Sequence, residues 1–405
     1  MTTETAPFPF PPLPPEEALE AFRKVRADRP MTKVTMPYGG DVWVIHRHAA
    51  AKKMLEDRRF VRQPFRGERE VPYFVQFPPF LLQTFQWADP PEHTRLRRLV
   101  ARAFTARRVE QLRQRAQEMA QNLLDRMTAD GRTGGDFAQE FATPFPIRVL
   151  CELIGVPEDD RDRFIGWSHA LLAVSGMTEE EILQNSMELY GYLAALIARR
   201  RAEPLEDLLS LLAVAEEKDD SLTDEEILPI AMLILVGGFD NTANFITHGV
   251  RAMLHNPEHL KLLLTDIDGI VPTLVEETLR HAGFVMGTPV AGGAGLPPHM
   301  ASEDVEIDGR LIRAGECVLV DISAANHDEN AFADPHVFDI TRKANPHLTL
   351  SHGLHHCLGA PLARMEIQVA LSAIFRRLPR LRLTGEAVDI TETLTGGISS
   401  LPVAW

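Results

Sequence analysis

Cys357 stands in the run Pro346-His-Leu-Thr-Leu-Ser-His-Gly-Leu-His-His-Cys-Leu-Gly-Ala-Pro-Leu-Ala-Arg364. Pro361 follows shortly after, where a proline suits the first turn of a helix because the amide it lacks would have no partner there. A cysteine at a helix start meets free N–H groups and the positive end of the helix dipole, and both favour the thiolate. Gly353 and Gly359 would let the backbone approach a flat ligand closely. Two other readings compete. A lone cysteine is most often a small buried residue. His347, His352, His355 and His356 could make it a zinc ligand, although zinc sites usually show paired ligands such as Cys-x-x-Cys, which this chain lacks.

Three further segments carry groups that can handle protons or charge. Val236-Gly237-Gly238-Phe239-Asp240-Asn241-Thr242 places an acid shortly after two glycines. Each interior glycine costs a helix about 1 kcal/mol against alanine. Close packing against another helix would explain that cost, and so would a local groove that admits a small ligand. The acid in an otherwise apolar helix favours function. In Asp89-Pro-Pro-Glu-His-Thr-Arg-Leu-Arg-Arg98, His93 and Arg97 lie four apart and could serve one anion, or belong to a solvated basic face. Glu277-Thr-Leu-Arg280 sets acid and base on one helix face, a spacing that is often only surface decoration.

The elements that must position these groups are mostly helical. Glu16 to Arg26 reads as a short helix after a proline-rich arm over residues 1–15, and residues 16–405 read as one large domain. Lys33 to Ile45 reads as two strands joined at Gly39-Gly40. From His48 to about Met286 the pattern is helical, broken at Val71–Pro79, at Gly131–Gly135 and near Gly176. Thr223-Asp-Glu-Glu226 is a capping box opening the helix that carries Asp240. Val305 to Asp321 switches to strands, with turns at Asp308-Gly309 and Ala314-Gly315. Helix returns after Pro361, with Leu362, Met365, Val369 and Ala373 on one face. The expected class is mainly α with a small β portion.

Composition narrows the function. A formal charge of -15 argues against general nucleic-acid binding. Three cysteines, Cys151, Cys317 and Cys357, are too few and too dispersed for a disulfide framework and suit a reducing compartment. The N-terminus lacks a basic-then-apolar leader. The longest apolar run, Ile227 to Phe239, falls short of the ~20 residues that span a bilayer. A cytoplasmic protein without a membrane anchor is expected.

The Cys357 segment resembles the haem-binding loop of the cytochrome P450 family, with Gly353 four residues before the ligand and Gly359 two after. The resemblance runs from about Trp43 to the C-terminus, and its motifs come in family order. It implies haem b, with Cys357 as axial ligand of the iron and O2 as co-substrate. A thiolate on haem iron pushes electron density that favours O–O cleavage. His355, His93 and Arg97 match positions that hold haem propionates. His299, before Ala-Ser-Glu-Asp-Val-Glu306, stands where the family commonly places a propionate-binding arginine. Glu277, Arg280 and Arg342 match a buried charge network behind the haem. Asp240, Asn241 and Thr242 fall in the oxygen-activating part of the central helix. There the family usually has acid then threonine, and some members carry asparagine. Leu350-Ser351 replaces the usual Phe-Gly.

The same resemblance implies a monooxygenase that hydroxylates, epoxidises or oxidatively couples an apolar molecule, with electrons from a ferredoxin and its reductase. Arg95, Arg97, Arg98, Arg102, Arg107, Arg108, Arg113 and Arg115 form a basic cluster that suits an acidic ferredoxin, or a solvated face. Phe74, Phe77, Phe85, Leu233, Val236, Gly237, Val285, Met286 and Ile398 are candidate pocket residues. Aromatics between Phe65 and Trp87 suit a large apolar or aromatic, natural-product-like substrate. A small terpenoid or xenobiotic oxidised for catabolism is the alternative substrate class, and a haem-binding sensor is the alternative from another class. A monomer is expected.

Overall fold

The structure is a computed structural model and describes residues 6–7, 31–67, 69–73, 76–77, 79–172, 177–214, 216–217, 220–282, 297–385 and 398–405. The chain forms two compact units, Met1–His93 with Glu276–Cys357, and Thr94–Val275 with Leu358–Trp405.

The first unit holds the larger sheet. Its strand order is Ala6–Pro7, Met31–Thr35, Asp41–Ile45, Cys317–Val320, His299–Ala301 and Phe60–Val61. Cys317–Val320 runs parallel to Asp41–Ile45 and antiparallel to His299–Ala301. Alternate residues face opposite sides of a strand, and here both sides are covered. Trp43, Ile45, Val318 and Val320 enter one buried cluster. Val42, Val44 and Leu319 enter another, with Phe65, Tyr73 and Trp87. That explains why Cys317–Val320 reads as an unbroken apolar run.

The turns lie where glycine puts them. Gly39 and Gly40 join the first two long strands with φ of 68° and 87°, and a Cβ on Gly39 would meet the Pro72 nitrogen at 2.4 Å. Val305–Ile307 and Arg310–Ile312 form an antiparallel hairpin, turned by Asp308 and Gly309 with φ of 50° and 74°. The expected Glu16–Arg26 helix and the break near Gly176 fall outside the described residues.

The second unit is helical. Asp224–Gly238 begins at the Thr223/Glu226 capping box, and both reciprocal bonds are present. Helix resumes as Asp240–His255 after a break at Phe239. The sequence reading stopped the apolar run at Phe239, but the second helix extends it. Among the described residues Asp224–His255 is long and apolar enough to cross a membrane, with 56% of its most apolar window buried inside the protein, as a core helix has. Ala360–Arg377 packs against Ala106–Met127 and Asp240–His255, burying Leu362, Met365, Val369 and Ala373. A small antiparallel sheet joins Arg382–Leu383, Pro402–Ala404 and Gly134–Asp136. The class is mainly α with a small β portion, as the sequence indicated.

Candidate functional site

The Cys357 loop closes on itself in the first unit. The Cys357 N–H donates to the Leu350 carbonyl at 2.7 Å, and the Ser351 N–H to the Leu348 carbonyl at 2.8 Å. Ser351 and Gly353 both adopt positive φ, 60° and 66°. A Cβ on Gly353 would sit 2.3 Å from the Leu55 carbonyl oxygen, so only glycine fits. Leu350, where the family has an aromatic, is buried and lends its carbonyl to the cysteine backbone.

Cys357 is half-exposed, whereas Cys151 and Cys317 are buried. Burial pushes the Cys151 thiol up to about 12 and raises that of Cys317 as well. Neither suits a metal thiolate at neutral pH. The loop histidines do not converge as a zinc site would need. His347 faces Glu276 at 3.1 Å and His352 faces Glu56 at 2.7 Å, while His355 turns to other histidines. Among the described residues no group of three or more His, Cys, Asp or Glu is placed to hold a metal ion.

His93, His299 and His355, from a helix, a strand and the cysteine loop, meet in that unit. The His355 ring centroid lies 4.7 Å from that of His93 and 5.8 Å from that of His299. His93 and His299 are buried, and the His299 Nδ1 has no hydrogen-bond partner among the described residues. Buried polar atoms are rarely left so without cause. A cysteine loop shaped by glycine, with buried imidazoles beside it, fits a haem with its carboxylates. Arg97, four residues after His93 on Glu92–Ala101, belongs to the second unit and is half-buried.

The acid–base network holds the approach to the loop. Glu277 and Arg280 are fully buried, and the Glu277 carboxylate accepts Arg280 Nη2 at 2.7 Å and Arg280 Nε at 2.8 Å. It also accepts Arg342 Nε at 3.2 Å, Asn345 Nδ2 at 3.0 Å and the Asp339 N–H at 2.8 Å. Arg280 Nη1 donates to the carbonyls of Asn326 and Pro335 at 3.0 and 2.7 Å. Asn326 Oδ1 in turn accepts the Leu348 N–H at 2.8 Å, three residues before Ser351. The network therefore clamps residues 326–348 by charge and by backbone.

In the second unit the two glycines part company. Gly238 is close-packed, since a Cβ there would meet Leu150 at 3.3 Å, whereas a Cβ on Gly237 would meet none of the described residues within 4 Å. Gly237 is exposed and Leu233, Ile234, Val236, Gly238 and Asn241 are half-accessible, whereas Leu235 and Phe239 are buried. Asp240 is buried. The Thr242 hydroxyl donates to the Gly238 carbonyl at 3.2 Å, across the break at Phe239. His169 stacks edge-on to Phe239 at 5.3 Å. Burial lowers its pKa, and the Asp240 charge acts the other way.

Other pocket candidates separate by packing. Phe77 lies 5.0 Å from Tyr73 and 4.9 Å from Trp87, ring centre to ring centre, as part of the core cluster. Phe85 is buried 6.4 Å from His93, and Ile398 is buried. Phe74, Val285 and Met286 fall outside the described residues. In the arginine cluster Arg98, Arg102, Arg107 and Arg115 are exposed, while Arg95 pairs with Glu226, Arg113 with Glu110 and Arg115 with Glu118.

Sequence reasoning passed over Arg62 and Glu366. Arg62 follows Arg58-Arg59-Phe60-Val61 and looks like one more surface arginine, yet it is buried. Glu366 carried a weak signal, an acid beside Met365 on a buried stripe. Its carboxyl is buried, and desolvation raises its pKa well above the usual carboxylate range.

The cytochrome P450 family profile matches residues 30–398. The mycinamicin IV hydroxylase/epoxidase of Micromonospora griseorubida is 41% identical over 387 residues, covering 95% of this chain and 94% of that protein. The nocardicin C N-oxygenase of Nocardia uniformis subsp. tsuyamanensis is 39% identical, covering 100% and 99%. Among solved structures, the mixed-function P450 MycG superposes with a TM-score of 0.88 at 38% identity, over 99% of this chain and 100% of that one. The LnmA cytochrome P450 hydroxylase of the leinamycin pathway of Streptomyces atroolivaceus S-140 superposes with a TM-score of 0.86 at 36% identity, over 99% and 100%.

Proposed function

Because this chain belongs to the cytochrome P450 family and is a monooxygenase, we propose that it oxidises a large apolar or aromatic natural-product-like molecule in secondary metabolism. The observation that carries this substrate class is the run of apolar positions left at least partly open near the end of the Asp224–Gly238 helix, Leu233, Ile234, Val236 and Gly237. The relatives' names, a hydroxylase/epoxidase and an N-oxygenase of mycinamicin IV and nocardicin C, support it. A small terpenoid or xenobiotic would need less open apolar surface.

The prosthetic group is haem b. Cys357 holds the iron, and His93, Arg97, His299 and His355 hold the propionates. When bound, haem supplies the reductive activation of O2. The protein supplies orientation and protons. Asp240 brings protons from solvent. Asn241 positions a water or a polar substrate group beside the open Gly237. Thr242 secures the Gly238 carbonyl at the helix break, so its hydroxyl acts on the groove's shape. Glu277, Arg280 and Arg342 hold the cysteine loop in register. Electrons come from a ferredoxin and its reductase, docking on the exposed arginines Arg98 and Arg102, and the protein works as a cytoplasmic monomer.

The test is the ferrous carbon-monoxide complex. The wild type gives the red-shifted band of a thiolate ligand, and Cys357→Ser loses it. A band that survived the substitution would pass the ligand role to another cysteine and sink the assignment. A spectral binding screen of natural-product scaffolds then tests the substrate class, and tighter binding of small terpenes than of any large scaffold would overturn it.

A further inference from the structure

Among the described residues, Arg62 is a buried cation without a bonded counter-charge. It is 1% exposed, and its Nη1 and Nη2 donate to the backbone carbonyls of Gln86 and Pro297, each at 3.1 Å. Its Nε has no hydrogen-bond partner among the described residues. Asp89 is the nearby acid, but its oxygens accept backbone N–H groups instead, from Arg62 at 3.0 and 3.1 Å and from Gln63 at 2.8 Å. Burying a charge costs several kcal/mol unless it is paired with good geometry. Desolvation lowers the guanidinium to about 9, with Asp89 offsetting only part. Carbonyls alone are a poor match for a cation that could bind a carboxylate through two parallel bonds.

What lies beside Arg62 gives the cation a task. Its charge acts on His299, which burial and Arg62 together hold uncharged. His299 thus occupies the expected position of an anchoring arginine without that arginine's charge, and its Nδ1 lacks a partner among the described residues. Its ring meets His355, which in turn meets His93.

We propose that Arg62, with His299 beside it, binds a haem carboxylate, so that two residues divide the charge and the hydrogen bond that one arginine would supply. The inference rests on the haem reading above and deepens it at a residue outside the motifs that carry the resemblance. The alternative is that Arg62 is only a staple between the Gln86 and Pro297 carbonyls.

Haem and haem dimethyl ester separate the two. The ester keeps ring and iron but lacks the carboxylate charge. Transfer of each to excess apomyoglobin is timed for the wild type and for Arg62→Gln, which removes the charge but keeps an amide to donate to a carbonyl. The wild type loses the ester faster than haem. In Arg62→Gln that preference shrinks, by on the order of tenfold, because residue and carboxylate are coupled. Arg62→Lys, which keeps the cation, retains most of it. A staple predicts that Arg62→Gln speeds both losses by one common factor, and that outcome overturns the proposal. A wild type that releases both at one rate overturns it too, whether or not a variant folds, as does Arg62→Lys losing the preference. Failure of the haem reading itself looks different, since the wild type would then show no thiolate band with carbon monoxide.

Discussion

At the scale of single residues, the central question is which side chain manages protons. A threonine hydroxyl donates and accepts and can relay a proton, whereas an asparagine amide donates and accepts but relays poorly. The hydroxyl here sits on Thr242, one position late, and is given to the Gly238 carbonyl. Asp240, buried within an apolar helix and close enough for its charge to act on His169, is the group proposed above to recruit protons. Asp240→Asn should therefore slow turnover sharply. Asn241→Ala should lower product formed per reductant consumed by less than Asp240→Asn does. Peroxide and product yields measured side by side decide it, and if Asn241→Ala is the more damaging the two roles are reversed. Glu277 raises a question of stability instead. Its carboxylate answers two arginines, one asparagine and a backbone amide. Removing one partner of a buried ion pair costs roughly 3–5 kcal/mol. Glu277→Leu should lose about that much in chemical denaturation, and a loss below about 1 kcal/mol would mean that the network is not holding residues 326–348.

At the scale of elements, Ala360–Arg377 shows what pattern can and cannot announce. Its stripe of Leu362, Met365, Val369 and Ala373 was legible because helical period and burial agree. Glu366 was not, since a lone acid beside a stripe is usually exposed and only tertiary packing buries it. The two strands around Gly39-Gly40 and the Asp308-Gly309 hairpin were legible for a local reason, because positive φ at the turn selects glycine and aspartate. The break at Phe239 was hidden, as nothing in Gly238-Phe239-Asp240 distinguishes an interrupted helix from a continuous one. Glu366 has a measurable consequence. Its folded pKa lies above its unfolded one, because burial penalises the carboxylate. The unfolded chain releases this proton above about pH 4.3, while the folded protein keeps it. Stability is therefore fully present below that pH and falls as pH rises towards the folded pKa, by at most about 1.4 kcal/mol per pH unit. Glu366→Gln should flatten this limb of the stability–pH curve. An unchanged slope would show that the carboxyl is ionised in the native state.

At the scale of the whole molecule, the chemistry was readable where it is written in contiguous residues and hidden where it is assembled from distant ones. The Cys357 loop is one run of sequence, and its glycines, proline and cysteine each declare a backbone or chemical need. Arg62, His93, His299 and His355 come from four separate stretches, and only folding brings them together. Charge is the remaining whole-chain property. With a net charge of -15, the protein as a whole repels an acidic redox partner, so docking needs a local patch of opposite sign. Arg98 and Arg102 are exposed and four residues apart, so both can face a partner's carboxylates. Reversing both to glutamate should raise the ferredoxin concentration for half-maximal turnover by on the order of tenfold at low salt. Substrate affinity, read from its binding spectrum, should stay within about twofold, because exposed charges act mainly on association. Raising ionic strength to about 0.5 M should erase most of the difference, since exposed charges are screened within a few ångströms there. An equal loss of substrate affinity that salt does not relieve would place these two arginines in folding or haem retention, and the docking face would have to be sought elsewhere.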